Sequence, residues 1–265
     1  MTTSNPYRDA IEATYPDLDL WKARASVERP ERGSDLAIDD KVFGWFPISE
    51  AARMSLHAAG EHLRLTRDGI LQRQLYPSAQ FTVLRGALVG ACQAVWILSP
   101  SEAADRQERG LTVIAELYRQ LDIYYNSRVE YESLNAQELA HLRDQQDWLK
   151  ERQSQVAQLR RGSGKLDLTN IVIAQALDHT FLERDKRETG RRLWREMSGD
   201  AHVLGWSQFQ RATVGTTDRR TGIGELTTGG GWSDIAQPFV ACHLLLKEGW
   251  SLFDRRCEAP STHNR

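Results

Sequence analysis

Phe81, Leu84, Leu88, Ala91, Val95 and Leu98 recur at steps of three and four, in a segment that is apolar on nearly every side. Periodicity of this kind predicts a helix, and a helix apolar all round is stable only when other elements surround it. The rest of the chain must therefore supply amphipathic partners for this one segment. Its longest apolar run, Gly86 to Leu98, is too short to cross a bilayer and follows Arg85 directly. A core helix is expected, with no membrane association.

Partners are present on both sides. Ser49 to about Gln72 carries Met54, Ala58, Leu63 and Leu65 at loosely helical spacing, and Pro77-Ser78 restarts the chain. Ser99-Pro100-Ser101-Glu102 has the form of a capping box opening a helix to about Arg128. Asn135 to Glu138 repeats that logic for a helix to about Arg161, where Leu142, Leu149 and Val156 stand seven apart. That heptad-like seam predicts a long antiparallel hairpin over 101–161. Further helices are expected over Leu168–Thr180, Leu182–Val203 and Ile235–Arg255, the last capped by Ser233-Asp234. Only Phe209–Val214 and Ile223–Thr228, around an Asp218–Gly222 turn and closed by Gly229-Gly230-Gly231, have a strand pattern.

The expected fold is all-α: an antiparallel up-and-down helical bundle with a small β-hairpin insert near residues 208–228. Residues 1–46, interrupted by Pro6, Pro16, Pro30 and Gly33, read as an extended lead-in. Residues 47–257 read as a single helical domain and 258–265 as a disordered tail. No alternating βαβ pattern supports a nucleotide-binding α/β fold.

Charge excludes a simple polyanion binder, because 34 basic residues face 36 acidic ones. Any nucleic-acid site must be a local patch. Cys92, Cys242 and Cys257 are odd in number and far apart, which fits a reducing, cytoplasmic compartment without a disulfide framework. No metal or cofactor site is expected. His57 and His62 diverge on a helix, and His179 with Glu183 lacks a third ligand. Trp194, Trp206, Trp232 and Trp250 could line a pocket, but burial in a core is the commoner role of such residues.

The segment richest in chemistry is 191–202. On a helix Arg191, Arg195, Ser198 and His202 share one face, with Arg195 and His202 about 10 Å apart along the axis. Guanidinium groups hold phosphate and neutralise transition-state charge, and imidazole moves protons near neutral pH. Arg184, Lys186, Arg187 and Arg192 add local positive charge.

An arginine followed after four to six residues by a histidine, on a late helix of an antiparallel bundle, resembles the HEPN superfamily. These are helical, often dimeric domains, many of them metal-independent ribonucleases of bacterial toxin and defence systems. The segment Leu84-Arg85 through Pro100, followed by Arg106 and Arg109, is also similar to uncharacterised bacterial helical proteins that carry a late Ser-Gly-x-x-His. The resemblance spans roughly residues 49–205 and implies Arg195 and His202 as a catalytic pair. Ser198 would be their neighbour, and Arg85, Arg191 and Arg192 are candidate binding residues. Glu196 departs from the pattern, since an acid beside a phosphate-binding arginine would oppose it.

Two functions follow as expectations. One is a helical interaction or sensor protein that forms a homodimer through the 101–161 hairpin. The other is a HEPN-like ribonuclease that takes RNA at the basic patch. The bland alternative for the motif is structural: Ser198-Gly199 ends a helix, Asp200 caps the next, and Arg85, Arg106 or Arg195 pairs with Glu61 or Asp105.

Overall fold

The computed structural model describes residues 5–24, 28–76, 78–222, 224–228 and 231–260. Pro77, Ile223, Gly229 and Gly230, on which expected breaks and a strand start fall, lie outside them, as do residues 261–265 of the expected tail. Of that tail, Ala259 donates its backbone N–H to Glu31 at 2.9 Å.

The lead-in is not extended. It folds as α1 (Pro6–Glu12), α2 (Tyr15–Ala23) and α3 (Asp35–Asp39), followed by a 3-10 turn over Asp40–Val42. Two of the three prolines read as interruptions, Pro6 and Pro16, are helix starts, while Pro30 lies in coil. Pro6 occupies the first turn of α1 behind Asn5, whose side chain accepts from Tyr7 and Arg8, and Pro16 occupies the first turn of α2.

The bundle follows as α4 (Ile48–Leu71), α5 (Ala79–Leu98), α6 (Ala103–Tyr131) and α7 (Ala136–Leu159). A π-helical turn over Leu168–Ile173 leads into α8 (Ala174–Thr180), then α9 (Arg184–Ala201) and the one-turn α10 (Trp206–Phe209). Strands β1 (Ala212–Thr217) and β2 (Gly224–Thr228) pair antiparallel, and α11 (Trp232–Cys257) closes the chain. The fold is an all-α bundle with one small hairpin.

The apolar segment is the central helix. α5 packs against α4, α6, α8, α9 and α11, and Leu84, Leu88, Ala91, Val95 and Leu98 are completely buried. The full α5 is long and apolar enough to cross a membrane, unlike the shorter run noted in the sequence. Here the bundle covers it instead.

The Ser99–Glu102 signal does not cap α6. The N-cap of α6 is Glu102, with no side-chain cap bond, and Ser99 closes α5. Tertiary contacts claim this linker. Arg106, almost fully buried, donates to the carbonyls of Pro100 and Ser101 at 3.2 and 2.6 Å and pairs with Asp39 at 2.6 Å. Arg256 of α11 also donates to Pro100 and pairs with Asp35. One polar hub thus ties the lead-in, the α5–α6 linker and α11 together. Its carboxylate Asp39 is completely buried, so removing Arg106 would strand a buried charge.

The expected hairpin forms. Asn135 and Glu138 make a complete capping box, and Leu142, Leu149 and Val156 are buried against α6. Trp45 and Tyr118 meet Trp148 edge-on, with Arg152 stacked 3.6 Å over Trp45, which anchors the near half. The far half exposes Ile123, Tyr124, Val129 and Tyr131.

β1 lies three residues later than expected, because Phe209 belongs to α10, whereas β2 ends at Thr228 as expected. The turn sets the register. Gly222 donates to the Asp218 carbonyl at 2.8 Å and takes φ +70°, which its missing Cβ permits.

Candidate active site

α9 leaves the core as one unbroken helix, so Ser198-Gly199 does not end it and Asp200 caps nothing. Asp200 is buried and bonded to Arg211 through both oxygens, at 2.8 and 2.9 Å. The helix ends instead at His202 in a Schellman turn. Leu204 N–H donates to the Gly199 carbonyl at 2.8 Å and Val203 N–H to that of Asp200 at 3.0 Å. Val203 takes the left-handed position with φ +56°. That reversal carries Leu204 and Trp206 back over the helix they follow.

The result is a cavity of about 470 Å³ between α5, the π-helical turn, the end of α9 and α10. Ligand clefts span roughly 300–1,000 Å³. Arg85, Arg195, Ser198 and His202 line it, together with Trp194, Trp206, Gly199, Leu168, Thr169 and Leu204. Four residues separated in the sequence by up to 117 positions by number, 85 to 202, are thereby brought to one opening.

Each polar side chain is placed by a specific contact or by the lack of one. Arg85 lies with its guanidinium 4.7 Å from the Trp194 ring and donates from Nε to Ser198 Oγ at 3.2 Å. The remaining guanidinium N–H groups make no protein hydrogen bond or ion pair among the described residues. Arg195 and His202 are exposed, and their side chains have no hydrogen-bond or ion-pair partner among the described residues. The expected alternative pairs of Arg85 or Arg195 with Glu61 or Asp105 are not formed; Asp105 pairs with Arg161 at 2.7 Å.

Glu196 faces away from the cavity. It is buried beside Arg192, which it pairs with at 2.8 Å, so the acid next to Arg195 in sequence is neutralised on another face. Among the described residues, every chargeable side chain lining the cavity is an arginine or a histidine, and none is a carboxylate. Guanidinium groups left without a carboxylate partner favour an anion.

Arg191 and Arg192 are not brought to the cavity. Arg191 is held by Asp178 and Glu188 at 2.8 and 2.7 Å, and Arg192 by Glu196 and Gln237. Spacing along α9 put Arg191 on the right face; carboxylates on α8 and one turn back redirect it.

Trp194 and Trp250 are buried in the core as expected, Trp194 also lining the cavity, whereas Trp206 is exposed and lines it. The signal for Trp206 was Gly199. A glycine inside a helix costs about 1 kcal/mol against alanine and calls for a packing reason. A Cβ on Gly199 would sit 3.0 Å from the Trp206 ring and from Ser207 Cβ.

The remaining sequence candidates disperse. His179 bonds Glu248 at 3.0 Å rather than approaching Glu183, which pairs with Lys186. His57 packs edge-on against Trp250, while His62 bonds the Ala58 carbonyl. A larger cavity of about 590 Å³ lies beside the lead-in. Its carboxylates are already engaged: Glu28 by Arg24, Asp40 by Ser49 and Glu50 by Arg53.

No family model, no curated protein and no solved structure matches this chain.

Proposed function

We propose that this cavity binds a phosphodiester and that the protein is a metal-independent, HEPN-like ribonuclease. The observation that supports it is the lining itself, in which Arg85, Arg195 and His202 converge and no carboxylate offsets them. The chemistry asked of such a site is modest. The ribose 2′ oxygen attacks phosphorus, a 2′-O–P bond forms and the P–O5′ bond breaks. The 2′ proton leaves to a base and the 5′ oxygen takes one from an acid. Arg195 and Arg85 neutralise the charge that builds on the phosphoryl oxygens. His202 carries one of the two proton transfers, the role for which imidazole is suited near neutral pH. Ser198, bonded to Arg85, holds that guanidinium toward the phosphate.

The test is RNA cleavage in EDTA by the wild-type protein beside Arg195→Ala and His202→Ala. Loss of one charge-stabilising donor costs about 10²–10³ in rate, and loss of a general acid or base about 10²–10⁴. Both variants should fall by at least 10² while keeping the wild-type circular dichroism. Cleavage untouched by both substitutions would overturn the assignment, as would inactivity on diverse RNAs.

A second reading, a helical interaction protein that dimerises through the long hairpin, is favoured by the exposed Ile123, Tyr124, Val129 and Tyr131 at its far end. Sedimentation of the wild type beside an Ile123→Lys/Tyr131→Lys variant separates dimer from monomer. The two readings are compatible in one molecule.

A further inference from the structure

We propose that Trp206 is a stacking platform for the base of an unpaired nucleotide, so that the site selects single strands. This inference rests on the phosphodiester reading and deepens it.

The two indoles of the cavity are used differently. Trp194 is buried and its face is occupied by Arg85. Trp206, 42% exposed, lines the same cavity. A site for a bare inorganic anion makes no use of an indole, whereas an aromatic ring that keeps part of its surface accessible beside a cationic lining can stack on a base. Leu204, also exposed, and Leu168 extend the apolar part of the lining, opposite in character to Arg85, Arg195 and His202. A ligand that satisfies both halves carries a phosphate joined to a flat, weakly polar ring, which describes a nucleotide.

The ring is also held in place. Ser207 is completely buried and bonds back to the Leu204 carbonyl through its N–H at 3.3 Å and its hydroxyl at 3.4 Å. Gly199 lets the indole lie against α9 at a distance that any larger residue would disturb. A platform fixed before binding loses little entropy when a base settles on it. Bases in a duplex are stacked on one another and present no free face, so only unpaired nucleotides reach Trp206.

The test uses a 2′-O-methyl hexauridylate, which has no free 2′ hydroxyl to react and little self-stacking. Three fluorescently labelled probes are titrated with the protein: the single strand, the same strand paired to its complement within a G·C-clamped 2′-O-methyl hairpin, and an abasic hexamer of equal charge. The single strand should bind roughly five- to one-hundred-fold more tightly than the other two, the range that one base–aromatic stack supplies. Trp206→Ala should bring its affinity down to that of the abasic strand, and Trp206→Phe should recover most of the loss. Gly199→Ala, which keeps the indole but disturbs its seat, should weaken it in the same direction. Equal affinity for abasic and base-bearing strands, or an unchanged Kd in Trp206→Ala, would overturn the stacking inference and leave the anion site standing. If none of the three probes binds, the phosphodiester reading falls and this inference with it.

Discussion

At the scale of single residues, Val203 shows what the site costs the fold. It is a β-branched residue with φ +56°, 88% exposed, at the position of a Schellman turn where glycine is usual. Left-handed backbone costs a non-glycine residue roughly 1–2 kcal/mol. The side chain gives no burial in return, so the strain is offset elsewhere in the bundle. Strain of this sort concentrates where geometry serves binding or catalysis, and this turn sets both His202 and Trp206. Val203→Gly removes the strain but returns roughly 0.5–1 kcal/mol through the freer unfolded chain. The expected net effect is a gain of about 1 kcal/mol, or roughly 2–4 °C in Tm for a chain of this size. Calorimetry checks it, and a lower Tm would show that the turn is not strained in solution.

Among the elements, α4 and α5 approach with their backbones close together. A Cβ on Gly90 would lie 2.6 Å from the Ser55 carbonyl oxygen and 3.1 Å from the Ala59 nitrogen. Both are backbone atoms, so relief requires the helices to part. Overpacking typically costs about 1–3 kcal/mol, and Gly90→Ala is expected at the upper end of that range by urea unfolding. Gly44→Ala, which faces open space, should change little. The sequence signals that proved reliable were those whose partners are local. The apolar steps of α5 and the Asn135 capping box each depend on one helix alone. Those that misled depend on distant chain. Ser99 and Glu102 carry a correct capping pattern, yet Arg106, Arg109 and Arg256 take up the linker's polar groups. Arg191 has the right helical phase, but Asp178 on α8 draws it away. Trp206 was hidden because a left-handed valine, which no propensity predicts, folds it back onto the site. The lead-in was misread for a different reason: its Asn5-Pro6 pair was a local helix start taken for a break.

For the molecule as a whole, two histidines couple the packing of α11 to pH. His243 on α11 is buried against Trp21, with Asp17 of α2 at 3.0 Å and Lys247 also on that carboxylate. Burial pushes the His243 imidazole below its ordinary value, and Asp17 only partly opposes this. His57 on α4 packs edge-on against Trp250, and its Nε2 is buried with no hydrogen-bond partner. Burial lowers it as well, reinforced by Arg53 and Arg64 and opposed by Glu61 and Glu28. The sign is the same for both. An unfolded chain takes up these protons as pH drops through about 6.5, whereas the folded chain resists until its lower values are reached. Stability from both groups is therefore full above about pH 7.5 and declines as pH falls from 7 toward 5. Thermal unfolding across pH 5–8 should show a Tm that is flat at the alkaline end and slopes downward below neutrality. His57→Gln and His243→Gln should each reduce that slope, whatever they do to Tm at pH 8. A slope unaltered by both would mean that α11 stays docked with these imidazoles charged, and that their burial is not what limits the fold in acid.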